Sequence, residues 1–348
     1  MISTVSTATA QSFARTAISR LQSELSVAQQ EMASGRHSDV GLTLGRRSGV
    51  DASLRAQIAT KDALIGSNKV LTARFDAVDG ALGSLTQVAQ SLQQSLVAAN
   101  SAGADAGAIG KQAAAALAQI VSITNTAFDG AYLFAGSSNS GKPLNDISFD
   151  GVNGPGAAVV EAFRTRFGSD PNDSATSTLS GADMQSFLDT EFAQLFDAGN
   201  WTTLWANGSD DNFESRISES RSLTTSATAA SPAVRDLVKS LTMLAGLGLA
   251  SLGADARAAV ITQAAGSLGQ SLKELAELSA DVGAKSATIE DTSGELQAQN
   301  VQLKSRLNDM ESVDPAEVSI RLSSLSTQLQ ASYQATAKLA DLSLVNFI

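Results

Sequence analysis

Apolar positions begin to recur regularly at Ala14 and continue through Ile18, Leu21, Leu25, Ala28 and Met32, in steps of three and four. Gly35 follows where a helix-ending glycine belongs, so the pattern predicts one amphipathic helix. Residues 36–49 contain Gly41, Gly45 and Gly49 and predict a loop or a set of short turns, with helix resuming near Asp51. A cleaner seam then runs through Leu71, Phe75, Val78, Leu82, Leu85, Ala89, Leu92 and Leu96. Its alternating steps of four and three residues require a partner helix. Gly103, Gly107 and Gly110 interrupt it, and residues 111–128 predict a further, Ala-rich helix.

The longest periodic signal lies in the second half. Ile261, Leu268, Leu275, Val282, Ile289, Leu296, Leu303 and Met310 recur every seven residues. The companion positions are Ala265, Leu272, Ser279, Ser286, Ser293, Asn300 and Leu307, whose polar members set register at some expense of stability. Asp314 and Pro315 then read as the N-cap and first position of a last helix carrying Val318, Leu322, Leu325, Leu329 and Leu339.

Between these helical halves the composition changes. Twelve of the 16 aromatic residues lie between Phe128 and Phe213, with Pro143, Pro155 and Pro171. Turn residues and short apolar runs in 136–168, such as residues 157–160, predict strands and hairpins. The expected fold is mainly α with a central α+β insert. Helices from both ends form an antiparallel long-helix bundle or coiled coil, and the outer domain is mostly β. The expected divisions are an N-terminal assembly helix with its glycine-rich loop (1–50), an inner helical rod in two halves (51–130 and 232–313), an acidic aromatic-rich insert (131–231) and a C-terminal assembly helix (314–348).

Charge narrows the possible partners. With 24 Lys and Arg against 35 Asp and Glu, the net charge of −11 repels phosphate backbones and anionic headgroups, so no nucleic acid partner is expected. Residues 131–215 hold twelve acids and three bases, so the acidity is concentrated in the insert. No Cys occurs, which removes disulfides, thiolate metal sites and cysteine nucleophiles. Residues 1–15 show no basic segment followed by an apolar run, so no cleaved secretory signal is expected. The apolar stretch 241–254 is too short and glycine-interrupted to span a bilayer, so no membrane insertion is expected.

Chemistry finds little footing. His37 is the single histidine, excluding histidine triads and multi-histidine metal sites, and a loop histidine reads as solvated. Asp146, Ser148, Asp150 and Gly151 imitate half a calcium loop, but Ala157 stands where the bidentate Glu belongs, so an Asx-type turn is preferred. No phosphate loop or nucleophile elbow occurs, and Gly246 and Gly248 read as points of close helix contact. Trp201 and Trp205, near Phe192 and Phe196, read as a small buried core. Arg36, Arg46, Arg47 and Arg55 form the one basic patch, either a solvated loop surface or a contact with an acidic face of a neighbouring subunit. No catalytic residue, cofactor site or metal site is assigned, and the chain is expected not to be an enzyme.

Several segments carry a family resemblance. Residues 129–136, Asp-Gly-Ala-Tyr-Leu-Phe-Ala-Gly, resemble the segment that closes the long inner helix in the hook-filament junction branch (hook-associated protein 3) of the bacterial flagellin superfamily. Residues 196–205, Phe-Asp-Ala-Gly-Asn-Trp-Thr-Thr-Leu-Trp, resemble a segment found in one branch of the same family. Ser34, Gly35 and Arg36 sit where flagellins carry a Ser-Gly-Lys/Arg turn, and residues 342–348 are similar to the short apolar family ending.

The resemblance implies a structural adaptor at the hook-filament junction, or else flagellin itself, the bulk filament subunit. It implies export through the flagellar type III apparatus, so that the protein is secreted and extracellular. The implied partners are copies of itself, other hook-associated proteins, flagellin and an export chaperone. The expected assembly interface comprises Leu21, Leu25, Leu71, Phe75, Val78, Leu82, Leu85, Leu92, Leu275, Val282, Ile289, Leu296, Leu303, Leu322, Leu325, Leu329, Leu339 and Phe347. A cytoplasmic coiled-coil signalling hairpin is the reading from another class, and the aromatic, Pro-bearing insert argues against it. An enzyme within the acidic insert has carboxylates as raw material but no spacing that singles out a pair.

Overall fold

The computed structural model describes residues 7–102, 105–137, 141–150, 153–207, 213–225 and 227–345. Two compact units emerge, one of residues 1–63 with 296–348 and one of residues 64–295.

In the first unit, helix α1 (Thr7–Ser34) packs along α10 (Pro315–Val345). The two run antiparallel, because Gln22 meets Tyr333 while Glu31 meets Arg321. Leu21, Ala28, Val318 and Leu325 are buried between them, with Leu25, Leu322 and Leu329 alongside. Both predicted helix ends are present. The Gly35 amide donates to the Glu31 carbonyl at 2.9 Å, and the Asp314 carboxylate accepts from the Ala316 amide at 2.8 Å ahead of Pro315. The glycine-bearing loop forms a five-residue helix α2 (Val40–Leu44) and a 3₁₀ turn (Gly45–Arg47) before α3 (Ser48–Ala102) begins.

The second unit contains the larger core. Here α3 meets α9 (Ala254–Glu311) in antiparallel register, with Asn68 against Ser293 at 3.1 Å and Asp79 against Ser279 at 2.6 Å. Phe75, Val78, Leu82 and Leu85 of α3 and Leu268, Leu275, Val282 and Ile289 of α9 are buried in that core. Helix α4 (Ala106–Thr124) starts five residues before the sequence pattern places it, because Asp105 caps it through the Gly107 amide at 2.9 Å. It is long and apolar enough to cross a membrane, yet Ile109, Leu117 and Ile120 are buried in the core and it packs on α8 (Pro232–Gly246).

A two-strand hairpin, β1 (Ala127–Phe128) with β2 (Ala131–Tyr132), follows α4. Asp129 and Gly130 form its turn with φ of 50° and 78°, positive values at both central positions that suit a right-twisted hairpin.

The insert combines helix with a small antiparallel sheet content. Residues 157–160, expected as strand, lie in helix α5 (Pro155–Phe167). Pro155 at its first turn fixes a helical φ, and the short apolar run carried no periodicity to distinguish the two states. Helix α6 (Gly181–Phe187) continues into a π-helical turn, Leu188–Phe192, and α7 (Ala198–Asn200) into another, Trp201–Trp205. A second hairpin pairs β3 (Phe213–Arg216) with β4 (Ser222–Thr225).

Trp201 and Trp205 are buried and stacked, with ring centroids 5.8 Å apart, and Phe196 lies 4.4 Å from Trp205. The small aromatic core expected from their spacing is therefore present. Gly248 marks a close approach. Its φ is +61°, and a Cβ there would stand 2.0 Å from the Pro171 carbonyl oxygen, so no other residue fits without moving the backbone.

Candidate assembly surface

Charged residues accumulate where α1 ends, α3 begins and α9 passes to α10. The Glu31 side chain is buried and accepts from Arg321 Nη1 at 3.0 Å and from the Ser38 amide at 3.1 Å. His37 Nδ1 lies 3.6 Å from the same carboxylate, so the histidine is partly buried in an ion cluster and not a solvated loop residue. Glu311 is fully buried. Its Oε1 accepts from Arg55 Nη2, and its Oε2 faces Arg36 Nη1 at 3.2 Å as an ion pair without a hydrogen bond. Arg55 Nε also donates to Asp51 Oδ2 at 3.0 Å. That bond, with Glu311 adding, pushes the Arg55 guanidinium further above its already high range.

Backbone contacts bind the same corner. The His37 amide donates to the Glu311 carbonyl at 2.9 Å and the Val313 amide to the Gly35 carbonyl at 3.1 Å. A buried carboxylate is costly unless paired, so this cluster specifies one arrangement of four chain segments more than it adds net stability. Arg36 and Arg55 of the basic patch are thus occupied within the chain, whereas Arg46 and Arg47 are exposed and have no acidic partner among the described residues.

Further along the same unit, polar rungs join α3 to α9. Lys61 Nζ donates to Gln299 Oε1 at 2.8 Å, and Asn300 Nδ2 to Asp62 Oδ1 at 2.5 Å. Asn300 is one of the polar companion positions in the seven-residue repeat, and its burial gives it a directional partner.

The side chains expected at an assembly interface fall mainly inside the chain. Leu21 and Leu325 are buried between α1 and α10, beside partly buried Leu25, Leu322 and Leu329. Leu71, Phe75, Val78, Leu82, Leu85, Leu92, Leu275, Val282 and Ile289 are buried in the larger core, Leu296 is buried and Leu303 is partly exposed. The Leu339 side chain and Phe347 lie outside the described residues. Sequence periodicity cannot distinguish a seam within a chain from one between chains. The large apolar residues facing outward are others, among them Phe13 (70% exposed), Met32 (45%), Ile320 (73%) and Tyr333 (47%) on the terminal pair, and Leu42 (82%) on the loop.

Titration elsewhere is limited. Asp236 on α8 is half-buried, and desolvation, with the Glu274 carboxylate adding, raises its pKa above the usual carboxylate range. Burial lowers the Arg74 pKa, and its Nη2 donates to the Tyr132 carbonyl at 3.1 Å. Neither arrangement pairs a nucleophile with a base. No group of three or more metal-ligating side chains occurs among the described residues.

Comparison with known proteins gives these helices a context. The bacterial flagellin N-terminal helical region matches residues 5–139, and the bacterial flagellin C-terminal helical region matches residues 265–348. Among solved structures, the chain is similar to FlgL of Bacillus cereus, with 16% identity and a TM-score of 0.46 over 74% of this chain and 98% of that one. It is also similar to a putative flagellar hook-associated protein from Vibrio parahaemolyticus, with 10% identity and a TM-score of 0.39 over 77% of this chain and 94% of that one. Comparison with curated proteins finds no match. The two matched regions span more than half of the sequence and contain the α1/α10 pair and its charged corner, so the chain belongs to the bacterial flagellin family.

Proposed function

We propose that this chain is a structural subunit of the bacterial flagellum that serves as the adaptor at the hook-filament junction and polymerises through its terminal helices. The observation that carries this reading is the antiparallel pairing of α1 with α10. One stripe of each helix is buried in the partner, while Phe13, Ile320 and Tyr333 face outward. Apolar side chains left exposed on the pair are available to contacts between copies. Contacts between copies would then fall to these outward positions, with Leu21, Leu25, Leu322, Leu325 and Leu329 holding the pair that presents them.

The adaptor role, as against bulk filament, is supported by residues 129–136, whose sequence resembles the segment that closes the long inner helix in the junction branch. There the tight Asp129-Gly130 turn brings Leu133, Phe134 and Ala135 into the core directly after α4. On this reading the chain is secreted through the flagellar export apparatus with the help of a chaperone. It meets copies of itself, other hook-associated proteins and flagellin, and it works mechanically, not as an enzyme. Deleting the gene tests it. Cells should keep hooks, lose filaments and shed flagellin into the medium. Filaments of normal length and attachment would contradict the adaptor role.

A further inference from the structure

Residues 38–50 are anchored where they begin, while Leu42, Arg46, Arg47 and Val50 are exposed. The Ser38 amide is held by Glu31, the His37 amide by the Glu311 carbonyl, and Asp39 Oδ1 accepts from the Leu42 amide at 2.8 Å to cap α2. A loop ordered in advance loses little conformational freedom on binding. Yet four of its exposed side chains, Leu42, Arg46, Arg47 and Val50, make no hydrogen bond or ion pair among the described residues. Leu42 is 82% exposed and Val50 52% exposed, and Arg46 and Arg47 form a basic last turn without an acidic partner among the described residues.

Helix α9 carries the complementary pattern. Ala284, Ala287, Asp291 and Glu295 are exposed and, at intervals of three and four, share one helix face. Asp291 and Glu295 stand four residues apart, a like-charge spacing that weakens an isolated helix, and no lysine or arginine pairs with either among the described residues. Glu290 flanks them, also exposed. Small side chains beside the carboxylates leave room for a bulkier apolar partner.

Resting on the assembly reading above, we infer that the loop of residues 42–50 in one copy docks on the Ala284, Ala287, Asp291 and Glu295 face of a second copy. Arg46 and Arg47 meet the two carboxylates, and Leu42 and Val50 cover the alanines. The surfaces differ from one another, so the contact is head-to-tail and propagates through an assembly instead of closing a symmetric dimer. A chain of net charge −11 repels its own copies, and opposite charges placed at the contact offset that repulsion and select the docking register.

The absence of cysteine makes the test clean. Cells co-express one copy carrying Arg47→Cys and another carrying Asp291→Cys, and isolated flagella are oxidised. A disulfide-linked dimer is expected with the mixture and with neither copy alone. If the chain is recovered in flagella but remains unlinked, the inference fails and the assembly reading stands. If the chain is not recovered in flagella at all, both fail.

Charge reversal supplies a second readout. Arg46→Glu with Arg47→Glu should lower incorporation about tenfold, and adding Asp291→Lys with Glu295→Lys to the same chain should restore it to within about twofold. Unrestored incorporation in a variant of unchanged melting temperature would overturn the proposed pairing.

Discussion

Arg321 Nη1 lies 3.0 Å from Glu31 Oε2, joining residues 290 positions apart in the sequence. Glu31 is 4% exposed, so its charge is compensated at that contact, with the Ser38 amide and His37 beside it, and not by water. The pair fixes how α1 lies on α10 and where the loop between α1 and α3 begins.

Replacing Arg321 by Met keeps the apolar stem and removes the charge. A buried carboxylate left without its cation should cost about 3 kcal/mol. The loss should appear as faster amide exchange throughout α1 and α10, with the core around Leu82 unchanged. Equal protection in wild type and variant would mean that the ion pair does not hold the helices together.

Inner and outer positions should separate stability from assembly. Leu82 is fully buried, and Leu82→Ala should cost roughly 2–5 kcal/mol, seen as a lower melting temperature of the free chain. Ile320 is 73% exposed, and Ile320→Asp should change the stability of the free chain by no more than about 0.5 kcal/mol. The same substitution should reduce incorporation into flagella. A variant that melts normally and also assembles normally would remove Ile320 from the contact between copies.

Asp236 provides a pH test. Burial and the neighbouring Glu274 raise its folded-state pKa, so the folded chain binds this proton more tightly than the unfolded chain does. Its charge therefore costs stability at neutral pH, and that cost disappears as pH falls through the raised folded value toward the unfolded one near about 3.9. Asp236→Asn should raise the melting temperature at pH 7 and leave it unchanged at pH 3. A gain independent of pH would point to packing instead of ionisation.

Gly248→Ala tests the close approach of the insert backbone to the turn after α8. The positive φ and the 2.0 Å clash of the added Cβ with the Pro171 carbonyl should together cost more than about 2 kcal/mol. Gly266→Ala, where an added Cβ meets nothing within 4 Å, should be neutral or slightly stabilising and serves as the comparison.

The helical fold was legible because its periodicity is long. The repeat from Leu268 to Leu296 continues without a break, and those positions are buried along α9. Helix ends at Gly35 and Asp314 were legible because capping chemistry is local. Residues 157–160 were not, since a four-residue apolar run has no period and the following turns that make α5 a helix come from context.

The charged corner was invisible for a different reason. Arg55 and Glu311 are 256 residues apart, and an isolated Glu in a polar stretch reads as surface until the fold buries it. The outward apolar residues Leu42 and Ile320 were likewise missed as a group, because exposure is a property of the packed chain and not of its pattern.

Antiparallel pairing of α1 with α10 underlies the whole functional account, and a single distance in solution tests it. Spin labels placed by Gln22→Cys and Tyr333→Cys in the full chain, whose side chains meet at 2.8 Å, can be measured by pulsed electron resonance. Two helices in contact, with axes about 8–10 Å apart, should give one narrow distribution centred near about 20 Å. A broad distribution, or one centred at several times that distance, would contradict the pairing and the assembly mechanism built on it.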